Sequence, residues 1–273
     1  MNNKDDLIRI VEENEMILRQ GGYSVRGEYI ALPLDAERYR EVEVITPETV
    51  KTVVKKARRE ISSLAEKSEK NVFVKNQDSF AEASSVVMNF ANAIYPGGGY
   101  RHGARAQEEA LCRQSTLYAS LSSEKAAEMY IANRSADHPY DTDYMLISPH
   151  VTVFRDAALR LLSNPYVTAV VTMPAPNLNG RARFVSQIDI DEVMRRRITN
   201  LLSVLMSRGY RSLTLGAWGC GAFGHDARRV ARYFYEILFD DGYHRAFDEI
   251  LFAVLDRSSD CYNFETFRRV LGQ

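Results

Sequence analysis

The sequence predicts an α/β protein in which buried strands lie between layers of helices. From residue 71 onward, short apolar runs alternate with amphipathic stretches, the order of elements typical of α/β folds. Several of these runs are apolar on both faces, as expected of strands that helices cover on each side. The first seventy residues differ, because they show helical spacing only. We therefore expect a helical N-terminal extension over residues 1–70, packed on a core domain that spans residues 71–273.

Two helices are predicted in the extension. The first carries apolar residues at helical spacing and ends at Gly21 and Gly22. The second begins at Thr46 and Pro47, a capping residue followed by proline at the first helical position. Basic residues at positions 55, 56, 58 and 59 could contact nucleic acid, but no aromatic residues are interleaved with them. An ordinary solvent-exposed helix face is the favoured interpretation.

Strands and helices alternate in the predicted core domain. The apolar runs that predict strands occupy residues 72–74, 85–90, 144–148, 167–173, 213–218 and 249–255. The amphipathic stretches that predict helices lie near residues 107–121, 188–208 and 226–240. Three arginines at 195–197 interrupt the second of these helices and are expected on its solvent-exposed face.

The composition argues against several classes of protein. With a net charge of −1, the chain lacks the positive field with which proteins grip nucleic acid by charge. It has no run of the roughly 20 apolar residues that would span a membrane. Three distant cysteines and five histidines without ligand spacing predict neither disulfides nor a metal site. We expect a reduced, cytoplasmic protein without a cofactor.

A glycine-rich loop in the carboxyl-terminal part suits a diphosphate. Gly219, Gly221 and Gly224 stand in G-x-G-x-x-G order between a predicted strand and a predicted helix. Such a loop, opening onto a helix amino terminus, offers backbone N–H groups to an anion. An NAD-dependent dehydrogenase is one alternative, with Asp256 as the ribose-binding acid. However, Asp256 lies 37 residues after Gly219, whereas about 20 are expected between motif and acid.

Two weaker interpretations of the same loop remain. It could simply pack a helix on the sheet, although such packing does not require so many glycines. Alternatively, Cys220 could be a nucleophile whose pKa the helix terminus lowers. His225 would then have to act as its base, across a tight loop.

A glycine segment also occurs earlier in the chain. Its sequence, NFANAIYPGGGYRHGARAQEEALCRQS, runs from residue 89 to residue 115. Its glycines follow a buried strand, and Glu108 and Glu109 fall in the first turn of the next predicted helix. There they could merely stabilise the helix dipole, by about 0.3–1 kcal/mol each. A carboxyl pair facing a ligand loop also suits glycoside cleavage, which needs an acid to protonate the leaving oxygen. Neighbouring helix residues point about 100° apart, so the two glutamates should divide the tasks. The residues alone do not say which glutamate transfers the proton and which holds the sugar hydroxyls.

These motifs resemble those of a known family. The order N-x-x-x-x-GGG, then QEE, then much later G-C-G-A-F-G-x-D is similar to that of the poly(ADP-ribose) glycohydrolases, particularly their microbial type. The resemblance covers roughly residues 70–273. It implies a macrodomain, a three-layer α/β/α fold with a mixed sheet that binds ADP-ribose. It also implies hydrolysis of ribose–ribose bonds in poly(ADP-ribose) carried on modified proteins, without a metal or cofactor.

The resemblance implies roles at the matching positions. Glu109 would be the general acid that later activates water, and Glu108 would hold ribose hydroxyls. Asn92 would bind the distal ribose, and Phe223 would pack against that end of the ligand. The remaining implied substrate-binding residues are Asp78 near the adenine, Gly97, Gly98, Gly99 and Gln107 around the ribose and diphosphate, and Gly219, Cys220, Gly221, Ala222 and Gly224 in the second diphosphate loop. A non-catalytic ADP-ribose reader and a mono-ADP-ribosyl hydrolase remain alternatives.

Overall fold

A mixed seven-stranded sheet forms the centre of the computed structural model, which describes residues 3–67 and 70–272. Its strands are β3 (Glu43–Ile45), β4 (Val72–Lys75), β5 (Val86–Asn89), β6 (Met145–Arg155), β7 (Leu161–Thr172), β8 (Ser212–Leu215) and β9 (Glu249–Ala253). Their order across the sheet is β3-β6-β7-β5-β8-β9-β4. From β7 to β4 all neighbours pair in parallel, whereas β3, β6 and β7 pair antiparallel. The predicted mixed sheet is confirmed.

Helices cover both faces of the sheet. They are α1 (Lys4–Gln20), α2 (Pro47–Ser63), α3 (Gln107–Gln114), α4 (Leu117–Leu121), α5 (Ala127–Arg134), α6 (Gln187–Ser207), α7 (Ala227–Tyr235) and α8 (Tyr262–Leu271), and a π-helical turn, Glu236–Asp240, continues α7. Alternate residues of β5 enter different apolar clusters. Val86 and Met88 pack with α2, α6, α7 and α8, whereas Val87 packs with α3, α4 and α5. Burial on both faces produces the predicted three-layer α/β/α arrangement.

The N-terminal part contains both predicted helices, but it is not only helical. Helix α1 ends at Gly21, whose φ of 69° closes the helix, and Thr46 accepts a hydrogen bond from the Thr49 amide at the start of α2. Between these helices lie an antiparallel hairpin, β1 (Gly22–Val25) and β2 (Glu28–Ala31), and the edge strand β3. The strand β3 belongs to the central sheet, so the N-terminal part is joined to the core by main-chain pairing. The division of the chain at residue 70 stays a prediction.

The single helix predicted over residues 107–121 is wrong in one respect. The chain leaves the helix at Ser115, which is extended and forms a bridge with Val153 of β6. The Thr116 amide donates to the Thr152 carbonyl at 3.0 Å, and the Thr152 amide donates to the Thr116 hydroxyl at 3.0 Å. These bonds to the sheet outweigh local helix propensity. Helices α5 and α8 were not predicted.

The expectation of a solvent-exposed arginine cluster is wrong for Arg197, which is fully buried. Its guanidinium donates to Asp143 at 3.0 Å, to the Pro174 carbonyl at 3.1 Å, and to the carbonyls of Tyr140 and Asp141. A buried charge with several acceptors and an opposite charge is tolerated. Arg197 thus joins the segment after β7 to the loop before β6.

Candidate active site

A cavity of about 460 Å³ opens at the carboxyl ends of β5 and β8. Its volume is in the range of small-molecule sites. The cavity wall includes the predicted residues Asp78, Asn92, Gln107, Glu108, Glu109, Gly219, Gly221, Ala222 and Phe223. Residues that the sequence analysis did not select complete it, among them Phe90, Val254, Leu255 and Asn263. Because β5 and β8 are neighbours in the sheet, the two glycine-containing segments reach the same cavity.

Glu108 is almost fully buried, with both carboxyl oxygens bonded to amides. Its Oε2 accepts a 2.7 Å hydrogen bond from the Asn92 backbone, and its Oε1 accepts a 3.3 Å bond from the Asn89 side chain. Burial raises the pKa of Glu108 to about 8. The amide donors lower this pKa, and the neighbouring charge of Glu109 raises it. Burial therefore favours the neutral form of Glu108.

Glu109 has one anchored and one unpaired oxygen. Its Oε1 accepts a 2.8 Å hydrogen bond from the Gly99 amide. Its Oε2 is buried and has no hydrogen-bond partner among the described residues. A buried oxygen without a partner is costly and usually marks a functional position. The two neighbouring carboxyl groups thus differ in what they leave available to a ligand.

In the first glycine segment, Gly98 packs directly against the carboxyl groups of Glu108 and Glu109. Gly98 has a φ of +57°, and a Cβ there would lie 2.5 Å from Glu109 Oε1 and 3.1 Å from Glu108 Oε2. At Gly97 a Cβ would meet the Tyr118 ring at 2.7 Å. The cavity wall, as far as the structure describes it, does not include residues 97–99. Glycine is required here because the loop closes over the carboxyl pair, a reason that the sequence analysis did not give.

Two polar side chains, Gln107 and Asn89, join this segment to the sheet, and a third, Asn92, bonds within its own loop. Gln107 accepts from the Phe90 amide at 2.9 Å and donates to the Met88 carbonyl at 2.8 Å, which pins the first turn of α3 to the end of β5. The side-chain oxygen of Asn92 accepts from two amides of its own loop. Asn89 holds Glu108 and also donates to Thr172 at 3.2 Å. The sequence analysis missed Asn89, although an asparagine inside an apolar run is a detectable signal.

Asp78 lies at the cavity wall. Its Oδ1 accepts from the Phe80 amide at 3.0 Å, and its Oδ2 accepts from the Gln114 side chain at 3.2 Å. The Asp78 carboxylate is therefore held by its own loop, through Phe80, and by the last turn of α3, through Gln114.

The second glycine loop, residues 219–224, contains backbone N–H groups that have no acceptor in the described part of the chain, on residues that line the cavity. Within the described residues, the amides of Gly221, Ala222 and Phe223 donate to no protein acceptor. A Cβ on Gly221 would have nothing within 4 Å, whereas one on Gly224 would lie 2.8 Å from the Asn179 amide. Successive unpaired amides form an anion-binding concavity. The helix terminus itself is less available than predicted, because Asp226 caps α7 by accepting from the Arg229 amide.

A neighbouring segment after β7 supports this loop. The Leu178 amide donates to the Phe223 carbonyl at 3.0 Å, and the Asn179 side chain donates to the Ala222 carbonyl at 2.9 Å. His225 hydrogen-bonds the Pro176 carbonyl at 2.7 Å, and burial lowers its pKa, so it is neutral at pH 7. These hydrogen bonds fix the shape of the loop.

The structure contradicts both alternative chemistries for this loop. The Asp256 carboxylate accepts hydrogen bonds from the amides of Ser258, Asn263 and Phe264 at the start of α8, so it is not available to a ribose. Burial raises the pKa of the Cys220 thiol, which opposes formation of the nucleophilic thiolate. A dehydrogenase and a thiol enzyme are therefore not supported.

Comparisons with known proteins agree with this geometry. A family model described as microbial-type PARG, catalytic domain, matches residues 11–156. Poly(ADP-ribose) glycohydrolase (PARG) from Thermomonospora curvata is 32% identical, with a TM-score of 0.87, over 98% of this chain and 100% of that one. Its complex with the inhibitor ADP-HPD matches at 32% identity and TM-score 0.85, over 97% of this chain and 99% of that one.

A third structure is PARG from Deinococcus radiodurans in complex with ADP-ribose. It is 35% identical, with a TM-score of 0.80, over 88% of this chain and 98% of that one. No curated protein matches the chain in sequence. Within the described residues, no helix has the length and apolarity needed to cross a membrane. The family match and the identity along nearly the whole chain show that this protein belongs to the microbial-type poly(ADP-ribose) glycohydrolases.

Proposed function

We propose that Glu109 is the catalytic acid and base with which this glycohydrolase cleaves the ribose–ribose bonds of poly(ADP-ribose). The observation that carries the assignment is the unpaired Oε2 of Glu109, on a carboxyl group that Gly99 holds by its other oxygen. An oxygen in this position can approach a glycosidic oxygen without first breaking a protein hydrogen bond. Glu108 is less suited, since amide donors occupy both of its oxygens.

In the proposed reaction Glu109 first gives up a proton and then takes one back. Glu109 donates its proton to the leaving ribose oxygen as the glycosidic bond breaks, through an oxocarbenium-like transition state. Its carboxylate then takes a proton from the water that attacks the anomeric carbon, which regenerates the acid and completes release of ADP-ribose.

The raised pKa of Glu108 favours a protonated carboxyl group beside Glu109. Burial is the main cause of this shift, and the neighbouring charge of Glu109 adds to it. Ribose hydroxyls that donate to Glu108 favour its ionised form. Substrate binding therefore favours the ionised Glu108 that accepts from the ribose, and it leaves Glu109 Oε2 as the carboxyl oxygen without a protein partner among the described residues.

The rest of the cavity suits ADP-ribose. We expect the diphosphate to accept hydrogen bonds from the amides of Gly221, Ala222 and Phe223, with Phe223 also packing against the distal ribose. Asn92 and Glu108 would contact that ribose, and Asp78 the adenine. Gln107, residues 97–99 and Gly219, Cys220 and Gly224 would shape the site rather than donate to the ligand. The ligands of the Thermomonospora and Deinococcus structures support this class of ligand. We further expect the polymer to be carried on modified proteins in the cytoplasm.

Two variants separate the roles of the glutamates. Glu109→Gln keeps the size of the side chain but cannot transfer the proton, so poly(ADP-ribose) turnover should fall by about 10²–10⁴-fold while ADP-ribose affinity changes little. Glu108→Gln should weaken affinity and turnover together, because an amide replaces a carboxylate that accepts from ribose hydroxyls. Release of ADP-ribose from modified protein and calorimetry with ADP-ribose measure the two quantities. Near wild-type turnover by Glu109→Gln would refute the assignment, and affinity without turnover in the wild type would indicate a reader module.

A further inference from the structure

We propose that helix α1 is part of the catalytic apparatus and that Asn14 is a positioning residue for the glutamates on α3. Three consecutive residues of α1 each bind a different element. Glu13 pairs with Arg155 at the end of β6 at 2.6 Å, and Glu15 pairs with Arg101 at 2.8 Å. Between them, Asn14 is only 2% exposed, although it lies on a helix at the edge of the molecule.

Asn14 uses both ends of its amide. Its Nδ2 donates to the Arg113 carbonyl in the last turn of α3 at 2.9 Å. Its Oδ1 accepts from Arg155 Nε at 2.8 Å. The carbonyls in the last turn of a helix have no partner within the helix. Asn14 therefore supplies the acceptor at the end of α3 with a donor from outside, and it fixes that end against β6.

The chain that leads from the glycines to the glutamates also contacts α1. We call residues 97–114 the catalytic segment. Arg101, which pairs with Glu15, belongs to the short 3₁₀ turn after the glycines. Gly103 has a φ of +73°, and a Cβ there would lie 2.8 Å from Lys4 Cγ and 3.0 Å from the Lys4 carbonyl oxygen.

Helix α1 thus contacts the chain on both sides of Glu108 and Glu109. Arg101 and Gly103 precede the glutamates and Arg113 follows them, and each of these three residues lies against α1. Helix α3 has only eight residues, so a displacement at its last turn reaches its first. Misplacing a catalytic group by about 1 Å can cost about 10²-fold in rate. The family match, which begins at residue 11, includes this contact.

The inference rests on the proposed role of Glu109, and Asn14→Asp tests it. Aspartate keeps an oxygen for Arg155 but presents a second oxygen, rather than an N–H group, to the Arg113 carbonyl. We expect kcat for poly(ADP-ribose) hydrolysis to fall by about tenfold or more, with a smaller loss of ADP-ribose affinity because Glu108 lies on the same helix. The second glycine loop, which binds the diphosphate in the proposed site, has no part in the Asn14 contacts.

Ile17→Val is the matched control. Ile17 is a buried residue of the same helix, but it packs with Tyr23, Leu32, Tyr39 and Phe154, away from the catalytic segment. This variant should lower the melting temperature and leave kcat unchanged at a temperature where all the proteins are folded. If Asn14→Asp does not fold, Glu15→Arg, at a more exposed position, replaces it and should lower kcat several-fold.

Two results would overturn the inference. One is a folded Asn14→Asp protein with wild-type kcat, and the other is an equal loss of kcat in Ile17→Val. Glu109→Gln, assayed beside them, separates the two proposals. If Glu109→Gln loses turnover and Asn14→Asp does not, the role of Asn14 is wrong and that of Glu109 stands. If Glu109→Gln keeps turnover, the proposed function itself fails.

Discussion

Glu108 and Glu109 are neighbours in sequence, yet their carboxyl groups have different surroundings. Successive helix residues point about 100° apart, so one side chain meets Asn92 and Asn89, and the other meets Gly99. The sequence predicted that the two would divide the tasks. It could not predict their hydrogen-bond partners, because Asn89 and Gly99 approach only once β5 and the glycine loop have folded around α3.

The raised pKa of Glu108 has a consequence for stability. In the unfolded chain this carboxyl ionises above about pH 4.5, whereas in the folded protein it keeps its proton up to about pH 8. Between these values the folded state binds more protons, so the free energy of unfolding decreases as the pH rises. Its contribution is fully present below pH 4.5 and is lost as the pH passes through about 8.

Chemical denaturation across this pH range measures the effect. Compared with Glu108→Gln, the wild type should lose up to about 1.4 kcal/mol of unfolding free energy per pH unit between pH 4.5 and 8. Lost or altered hydrogen bonds in the variant add an offset that is constant with pH. Parallel curves for the two proteins would show that Glu108 is ionised in the folded state at neutral pH.

The two glycine segments differ at the scale of structural elements. The sequence suggested one explanation for both, close approach of the backbone to a ligand. Around Gly98 the close neighbours are the glutamates themselves, whereas at Gly221 the space is open. A substitution at Gly98 would displace the carboxyl pair, so it cannot report on ligand contact alone. Gly221 is the position at which the diphosphate loop can be tested.

Gly221→Ala and Gly221→Val form a graded series. Because a Cβ at Gly221 meets no protein atom within 4 Å, the melting temperature should change little. The added methyl groups would occupy space that the proposed diphosphate needs, so ADP-ribose affinity should decrease from glycine to alanine to valine. We expect valine to cost about tenfold, equivalent to about 1.4 kcal/mol. Calorimetry with ADP-ribose measures this, and unchanged affinity for the valine variant would show that the loop does not hold the diphosphate.

Local signals in the sequence predicted most of the elements. Apolar runs located the six strands β4 to β9 but not β1, β2 or β3. Thr46 and Gly21 located helix ends, because capping depends on neighbours in sequence. The break at Ser115 and the burial of Arg197 could not be predicted in this way. Both depend on distant partners, Val153 in one case and Asp143 in the other.

At the scale of the whole molecule, strand order creates the site. The two glycine segments are more than a hundred residues apart in the chain and meet because β5 pairs with β8. Alternation of strands and helices predicted an α/β fold, but it does not fix which strands are neighbours. The motif resemblance supplied that information at the sequence level. The proposed contribution of α1 to the catalytic segment had no counterpart in any motif.

The central claim is that one ADP-ribose spans both glycine segments with its ribose beside Glu109. A crystal structure of this protein with ADP-ribose tests that claim most directly. We predict the diphosphate within hydrogen-bond distance of the amides of Gly221, Ala222 and Phe223, the distal ribose hydroxyls on Glu108, and Glu109 Oε2 within about 3 Å of an oxygen on the anomeric carbon of that ribose. A diphosphate bound away from residues 221–223, or a distal ribose out of reach of Glu109, would contradict the account.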